Sequence, residues 1–428
     1  MRKPPEISPQ EVVVTPQKQD GIITQVREYK LITPLFGGGV TAGEGDPVTL
    51  IRGTEIRGLL RFWWRACRGG NYKTVEEMKK AEDKIWGSAN KKPAENKDAN
   101  NKKDETSSQG QTEGTVQIAV EQQQDDVPPT PYSPNIAPPY AAFPLQENRR
   151  ENRPLKNVYR DVSFTLIISF PKAFRQEVEA ALWAWETFGG IGARTRRGFG
   201  ALQLLKVDNK EYTDLPFANN VDVWIGEKLN DSKYVASGTP PHGIPYLTNP
   251  LQVRFTQPFH NPFEAWKQLI TRLSSFRQAR NGYMGRSKWP EAETIRTITK
   301  RRYSKHPVLS HPEKFPRAAF GLPIVFHFKY IDLGEPEDTT LQGADKETER
   351  LASPLILRPL ACKNNTFVGL ALLLEGNQMI SKELKLVKNK DRQPYPDKIE
   401  TELTPEEAKK IPPLYSETDV LQAFIKYL

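Results

Sequence analysis

Thr54–Arg68 reads TEIRGLLRFWWRACR, and its spacing writes two faces of one helix. Ile56, Leu59, Leu60, Trp63 and Cys67 recur at the intervals of a single buried stripe, while Arg57, Arg61, Arg65 and Arg68 line another. At about 100° per residue, Trp64 falls among the arginines rather than beside Leu60 and Trp63. An indole and several guanidinium forks would then share one outward face, a surface suited to a phosphate backbone with unstacked bases. The plainer reading is a solvated stripe whose arginine stems lie over apolar neighbours. The choice between them turns on whether other basic elements converge on the same face.

The chain has 428 residues, enough for two or three domains with cores of their own. Its net charge of +9 favours a polyanionic partner. That excess is uneven: Arg277–Arg317 holds eleven Lys or Arg against three Glu, a net +8. The two cysteines, Cys67 and Cys362, are too few for a four-thiolate metal site and are expected to be buried, reduced thiols. No cofactor is expected. Residues 1–20 lack a signal-peptide core, and no stretch approaches the roughly eighteen apolar residues of a membrane span, so a cytoplasmic protein without membrane contact is expected.

Outward from the helix, Gly21–Thr33 has the β-branched and aromatic content of a strand and ends at Pro34 and Gly37-Gly38-Gly39. From Ser88 to Gly114 the apolar side chains are three alanines among polar residues, which marks a disordered insertion. Strands are expected over Thr115–Glu121 and Val162–Phe170, a helix over Ala173–Phe188 with Phe174, Val178, Leu182 and Trp185 inward, and a closing strand over Ala201–Leu205. Trp63, Trp183 and Trp185 read as core. The order β, α, β, β, α, β is that of an α+β, ferredoxin-like or RNA-recognition-like unit, and it spans 21–245 after an N-terminal tail of 1–20. A second, degenerate unit with insertions is expected over 246–428. It has strands at Leu251–Gln257, Leu322–Tyr330 and Phe367–Leu374, helices at Phe263–Ala279 and Asp419–Leu428, and an acidic, disordered loop over 332–349.

Gly189–Gly200, GGIGARTRRGFG, sets five glycines around Arg194, Arg196 and Arg197. Glycines allow a foreign backbone to come close, successive N–H groups can cup an anion, and arginines add bidentate phosphate contacts. Thr195 stands where a dinucleotide fingerprint needs its third glycine, and no Gly-Lys-Ser or Gly-Lys-Thr closes a P-loop. A polynucleotide clamp remains, against the alternative of a long turn with exposed arginines.

Three blocks now carry a resemblance: Ile32-Thr33-Pro34-Leu35-Phe36-Gly37-Gly38, the Ile51–Arg65 segment IRGTEIRGLLRFWWR, and the glycine-arginine loop. Together they resemble the repeat-associated mysterious proteins, or RAMPs, of CRISPR effector complexes. More narrowly they are similar to the first RAMP subunit of the type III-B, or Cmr, complex. Gly285–Glu291, Phe315–Pro323 and Leu351–Leu360 extend the likeness into the second half. The resemblance implies two ferredoxin-like domains in a ribonucleoprotein for antiviral defence. It implies an RNA-binding subunit that is not the cutting one, touching CRISPR RNA toward its 3′ end or the paired target RNA, beside other RAMP subunits. The family loop falls on Gly189, Gly190, Gly192, Gly198 and Gly200.

Among the five histidines, His306 and His311 lie in the basic segment and are the candidates for the alternative, a metal-independent endoribonuclease processing CRISPR RNA. No metal-ligand motif appears, and no catalytic set is expected. The expected RNA-binding residues are Arg52, Arg57, Arg61, Trp64, Arg65, Gly192, Arg194, Arg196, Arg197, Gly198, Gly200, Arg286, Lys288 and Arg296, with Trp64 or Trp289 stacking on a base.

Overall fold

Alternation over Ile22–Leu31 (β1) puts Gln25, Arg27, Tyr29 and Leu31 on a buried face and Thr24, Val26, Glu28 and Lys30 on the other. A computed structural model describes residues 21–39, 41, 43–46, 49–88, 116–122, 127–148, 152–280, 285–346, 348–376 and 383–428. After β1 come the helices Gly53–Arg68 (α1) and Val75–Trp86 (α2), then the strands Gln117–Gln122 (β2) and Ser163–Pro171 (β3). Helix Arg175–Phe188 (α3) follows, then strands Leu202–Val207 (β4) and Lys210–Glu211 (β5). The sheet runs β2-β3-β1-β4-β5, with every neighbour antiparallel. Helices α1 and α3 cover the Tyr29 face, where the Tyr29 and Trp185 rings meet at 5.5 Å. Ile56, Leu60 and Trp63 of α1 share one core with Val178, Leu182 and Trp185 of α3.

Past a short helix, Val221–Asn230 (α4), the second half builds a smaller sheet. Its elements are Gln252–Phe255 (β6), Pro262–Gln278 (α5), and, further on, Leu355–Cys362 and Thr366–Leu373. Between α5 and those two strands lie Glu291–Thr299 (α6), Ile324–Phe326 (β7) and Thr339–Gly343 (β8), so the two strands are β9 and β10. Leu384–Lys388 (β11), Pro405–Lys409 (α7) and Val420–Tyr427 (α8) close the chain. The sheets are β9-β10-β6 and β11-β8-β7, again antiparallel throughout.

Strand β9 is buried along its whole length and β10 nearly so, because their sheet lies between two cores. Ile356, Leu360, Val368, Leu370 and Leu372 face the α1–α3 core, while Leu355, Leu357, Ala371 and Leu373 face α5 and α8. At Gly369 a Cβ would come within 2.7 Å of Leu269 Cγ, so α5 sits directly on the strand. Arg358 is the charged residue of β9 and is 0 % exposed. It donates from Nη1 to Glu186 O at 2.8 Å and Gly189 O at 2.6 Å, and from Nη2 to Leu202 O at 2.8 Å. These carbonyls belong to the end of α3 and the start of β4, where a cation meets the negative end of a helix dipole. Burial pushes the Arg358 guanidinium well below its ordinary value.

Four expectations need correction. Residues 332–349 do not form a disordered loop: Thr339–Gly343 is a buried strand between two partners, which its Thr-Thr-Leu run favours once a sheet is there to receive it. Glu335, which falls within that expected loop, is 1 % exposed and ion-paired. The Leu322–Tyr330 strand shrinks to Ile324–Phe326. Helix α2 falls between the expected elements, although Thr74 with Glu77 three residues on carries the capping signature, and Thr74 Oγ1 accepts from Glu77 N at 3.2 Å. The 88–114 insertion, Ser88 apart, and the 1–20 tail lie outside the described residues. Among those residues no helix is long and apolar enough to cross a membrane. Cys67 and Cys362 are buried free thiols, and burial pushes Cys362 up to about 12.

Replacing Arg358 by Met leaves buried carbonyls at the α3 terminus without donors. The change should lower unfolding free energy by about 3 kcal/mol, read by urea denaturation of the full chain.

Candidate nucleic-acid interface

The arginine face of α1 is turned inward onto α2. Arg61 Nε meets Glu82 Oε1 at 2.7 Å and its Nη2 meets Asp83 Oδ1 at 3.3 Å, while Arg65 Nη1 reaches the same Glu82 oxygen at 2.5 Å. Arg57 Nη1 donates to Trp86 O at 2.8 Å and Val116 O at 2.9 Å, binding the end of α2 to the approach of β2. Trp64 is 0 % exposed and donates from Nε1 to Glu177 Oε2 at 2.6 Å. Arg68 also pairs with Glu177, at 3.0 Å. Trp64 therefore cannot stack on a base, and the stripe is not an open cationic face. Two carboxylates close the face: Glu82 of α2, 5 % exposed, takes Arg61 and Arg65 at once, and Glu177 of α3 takes Trp64 and Arg68. Arg52 donates from Nη2 to Gly38 O and so fastens the Gly37–Gly39 turn.

The glycine-arginine loop is wound into the molecule in the same way. Gly192 has φ +82°, its N donates to Glu55 Oε1 at 2.7 Å, and a Cβ there would lie 2.7 Å from Phe36 O. Gly198, at φ +89°, backs onto the Trp266 indole, whose Nε1 donates to Arg197 O at 2.7 Å. Gly200 lies so close to Ile191 O that no side chain fits. Arg194 donates to Ala141 O at 2.7 Å, Arg196 to Ser353 O, and Arg197 to Leu355 O at 3.0 Å and Phe320 O at 3.4 Å. The glycines thus serve close crossing of this chain's own segments, Arg196 and Arg197 bind one half of the protein to the other, and Arg194 ties the loop to Ala141 within the first half.

Arg286, Lys288 and Arg296 do not join either group. Arg296 is clamped by Glu293 at 2.5 Å and Glu335 at 2.7 Å, and Arg286 faces Glu293 at 3.3 Å. Arg302 meets the other Glu293 oxygen at 2.7 Å. Lys288 is exposed. Trp289, 2 % exposed with its Nε1 donating to Phe276 O at 2.8 Å, is core and cannot stack on RNA. His306 Nδ1 lies 2.7 Å from Glu335 Oε1, and His311 Nδ1 lies 2.7 Å from Leu309 O. Among the described residues no group of His, Cys, Asp or Glu could hold a metal ion.

One convergence was missed from the sequence. Arg194 and Arg197 of the loop meet Arg277 at the end of α5 and Arg317 beyond it. Arg317 Nη1 donates to Arg277 O at 2.9 Å, and the Arg277 guanidinium lies 5.2 Å from the Phe320 ring centroid, beside the carbonyl that Arg197 uses. Burial first, then repulsion among the guanidiniums, pushes Arg194, Arg197 and Arg277 below their ordinary values, with Tyr140 and Glu291 opposing the shift at Arg277. Glu291 is spent on Arg317 Nε at 3.0 Å, and Arg277 Nε has no hydrogen-bond partner among the described residues. All four arginines keep part of their surface open to water. Like charges held together with too little acid form a site that an anion would relieve. The only sequence signal was the basic run itself, which opens at Arg277 and closes at Arg317.

Neither the first sheet nor the β9-β10-β6 sheet offers a second platform. The outward face of the first sheet carries Thr24, Val26, Glu28 and Lys30 beside Ser163, Thr165, Ile167 and Ser169, with no aromatic ring. Both faces of the β9-β10-β6 sheet are covered.

Residues 28–203, which hold α1, α3 and the glycine-arginine loop, match the family described as the RAMP superfamily. The match covers about two fifths of the chain and agrees with the resemblance read from its motifs. The chain is similar to the CRISPR system Cmr subunit Cmr1-2 of Pyrococcus furiosus, with 29% identity over 193 residues, 41% of this chain and 92% of that protein. Its likeness to a type III-B RAMP subunit rests on that relative together with the motifs. Two solved structures align with most of the chain. The crystal structure of Cmr1 from Pyrococcus furiosus in its apo form has a TM-score of 0.46 at 18% identity, covering 82% of this chain and 88% of that one. A chain of the type III-B Cmr-beta complex, bound to cognate target RNA and AMPPnP in the presence of ssDNA, has a TM-score of 0.46 at 14% identity, covering 83% and 95%.

Removing the carboxylate on which Arg61 and Arg65 converge leaves two half-buried cations facing each other. Glu82→Ala should therefore cost about 2 kcal/mol of stability, less than a fully buried pair because both arginines are partly wet. Thermal unfolding followed by circular dichroism reads it.

Proposed function

We propose that this chain is an RNA-binding, bond-preserving subunit of a type III-B CRISPR ribonucleoprotein. It would contact CRISPR RNA toward its 3′ end, the target RNA paired with it, or both, beside other RAMP subunits in the cytoplasm. The observation that carries the RNA contact is the meeting of Arg194, Arg197, Arg277 and Arg317 with one carboxylate already spent among them. A phosphodiester entering there supplies the missing negative charge, and the guanidinium forks match its geometry. Arg196 adjoins this set through the loop, whereas Arg57, Arg61, Arg65 and Arg296 act in folding. The RAMP match over 28–203 and the Cmr1-2 relative favour the same assignment.

The architecture we assign is two ferredoxin-like units, 21–245 and 246–428. The strand order β2-β3-β1-β4, with α1 and α3 as crossovers, supports the first. The order β9-β10-β6, with α5 and α8 on one side and no fourth strand among the described residues, supports a degenerate second unit carrying the β11-β8-β7 sheet as an insertion.

Binding of labelled single-stranded RNA to the full chain, measured over a salt series, tests the reading. Arg194→Gln should weaken binding and lower the slope of log affinity against log salt by about one. Unchanged affinity and slope in a folded variant would remove the junction from the RNA path. Cleavage of the RNA by the wild-type chain, abolished in His306→Ala, would instead assign the endoribonuclease.

A further inference from the structure

Three rings come together away from the junction, on the segment inserted between α5 and β9. Tyr303 lies 5.1 Å from His306 and 5.5 Å from Tyr330 between centroids, and the two tyrosine planes are inclined by 33°. His306 and Tyr330 are 6.1 Å apart. Tyr330 is 53% exposed and heads a tight turn in left-handed backbone, φ +65°, with Leu333 N donating to its carbonyl at 2.9 Å. The group is fixed from beneath by Glu335. One oxygen of that carboxylate accepts from Tyr303 N at 3.0 Å and faces His306 Nδ1 at 2.7 Å, and the other pairs with Arg296 at 2.7 Å.

Basic side chains outnumber acidic ones around the rings, with Asp332 exposed in the turn that Tyr330 heads. Lys300 and Lys305 bracket Tyr303, Lys329 precedes Tyr330, and all three are exposed without a carboxylate partner among the described residues. Arg301 meets Glu337 only loosely, at 3.7 Å. An exposed ring braced by two others and flanked by free ammonium groups is the arrangement that accepts an unpaired base and its phosphates. Holding the rings in advance means that little side-chain freedom remains to be lost on binding.

We propose that Tyr330, backed by Tyr303 and His306, is a stacking platform for an unpaired RNA base, with Lys300, Lys305 and Lys329 holding the adjoining phosphates. This rests on the RNA-binding reading and adds a second contact, separate from the arginine junction.

The test uses the full chain and a short fluorescein-labelled oligoadenylate RNA followed by anisotropy over a salt series. Asparagine tolerates left-handed backbone, so Tyr330→Asn removes the ring without straining the turn, and its thermal midpoint confirms folding. Tyr330→Asn should bind about ten-fold more weakly at an unchanged salt slope, Tyr330→Phe should stay within about two-fold of wild type, and Lys305→Ala should lower the slope by about one. Wild-type affinity in folded Tyr330→Asn overturns the platform and leaves the patch as a protein-contacting surface. Equal losses in Tyr330→Phe and Tyr330→Asn also overturn it, because a hydroxyl rather than a ring would then carry the contact. If RNA binds and Arg194→Gln weakens it while Tyr330→Asn does not, the platform alone fails. If the wild-type chain binds no RNA, the reading on which the platform rests fails with it.

Discussion

A guanidinium with no carboxylate, set in the middle of a fully buried strand, holds this protein together. Arg358 reaches across from β9 to the carbonyls of Glu186, Gly189 and Leu202, satisfying the open end of α3 from the far half of the chain. Such a charge in an apolar interior is costly unless its donors are filled, and here they are filled by backbone acceptors at the negative end of a helix. Once that link is made, the sheet containing β9 is pressed between the α1–α3 core and the α5–α8 core, and both of its faces are lost to solvent. An RNA-recognition mode that lays bases across this sheet has no surface left to use.

The same logic runs through the other arginines. Arg61, Arg65 and Arg68 of α1 neutralise Glu82, Asp83 and Glu177, and Arg196 and Arg197 of the glycine-arginine loop cap carbonyls of the second half. Much of the chain's cationic charge is therefore structural. What distinguishes the junction is shortage: Arg194 and Arg197 feel Arg277, Arg277 feels Arg317, and the carboxylate acting there, Glu291, is already paired with Arg317. Surplus positive charge in a partly open site is chemically unlike the paired charge around it, and this is why the nucleic-acid reading survives the loss of the α1 face.

Much of the fold was legible because periodicity and composition report burial. The alternation of Ile22–Leu31, the β-branched run of Ser163–Pro171 and the Val178–Leu182–Trp185 stripe each took the expected form. The partner of a face was not legible. Trp64 and the α1 arginines have the spacing of an outward stripe, and the positions of two neighbours turn them inward: α2 takes Arg57, Arg61 and Arg65, and Glu177 of α3 takes Trp64 and Arg68. Glycines that admit a foreign phosphate and glycines that admit the chain's own backbone look alike in sequence, and distances decide between them. The acidic 332–349 stretch misled for a related reason, since Glu335 is a buried counter-ion to Arg296, 39 residues earlier in the chain. Arg277 and Arg317 were visible only as members of a basic run, because their convergence with Arg194 depends on how the two halves dock.

Amide hydrogen exchange of the full chain with and without single-stranded RNA tests most directly whether the junction, rather than the arginine helix, meets the nucleic acid. Protection on RNA addition should appear in the glycine-arginine loop and around Arg277 and Arg317, with α1 and α2 exchanging as they do in the free protein. Protection concentrated on α1 and α2, with the loop unchanged, would contradict the account.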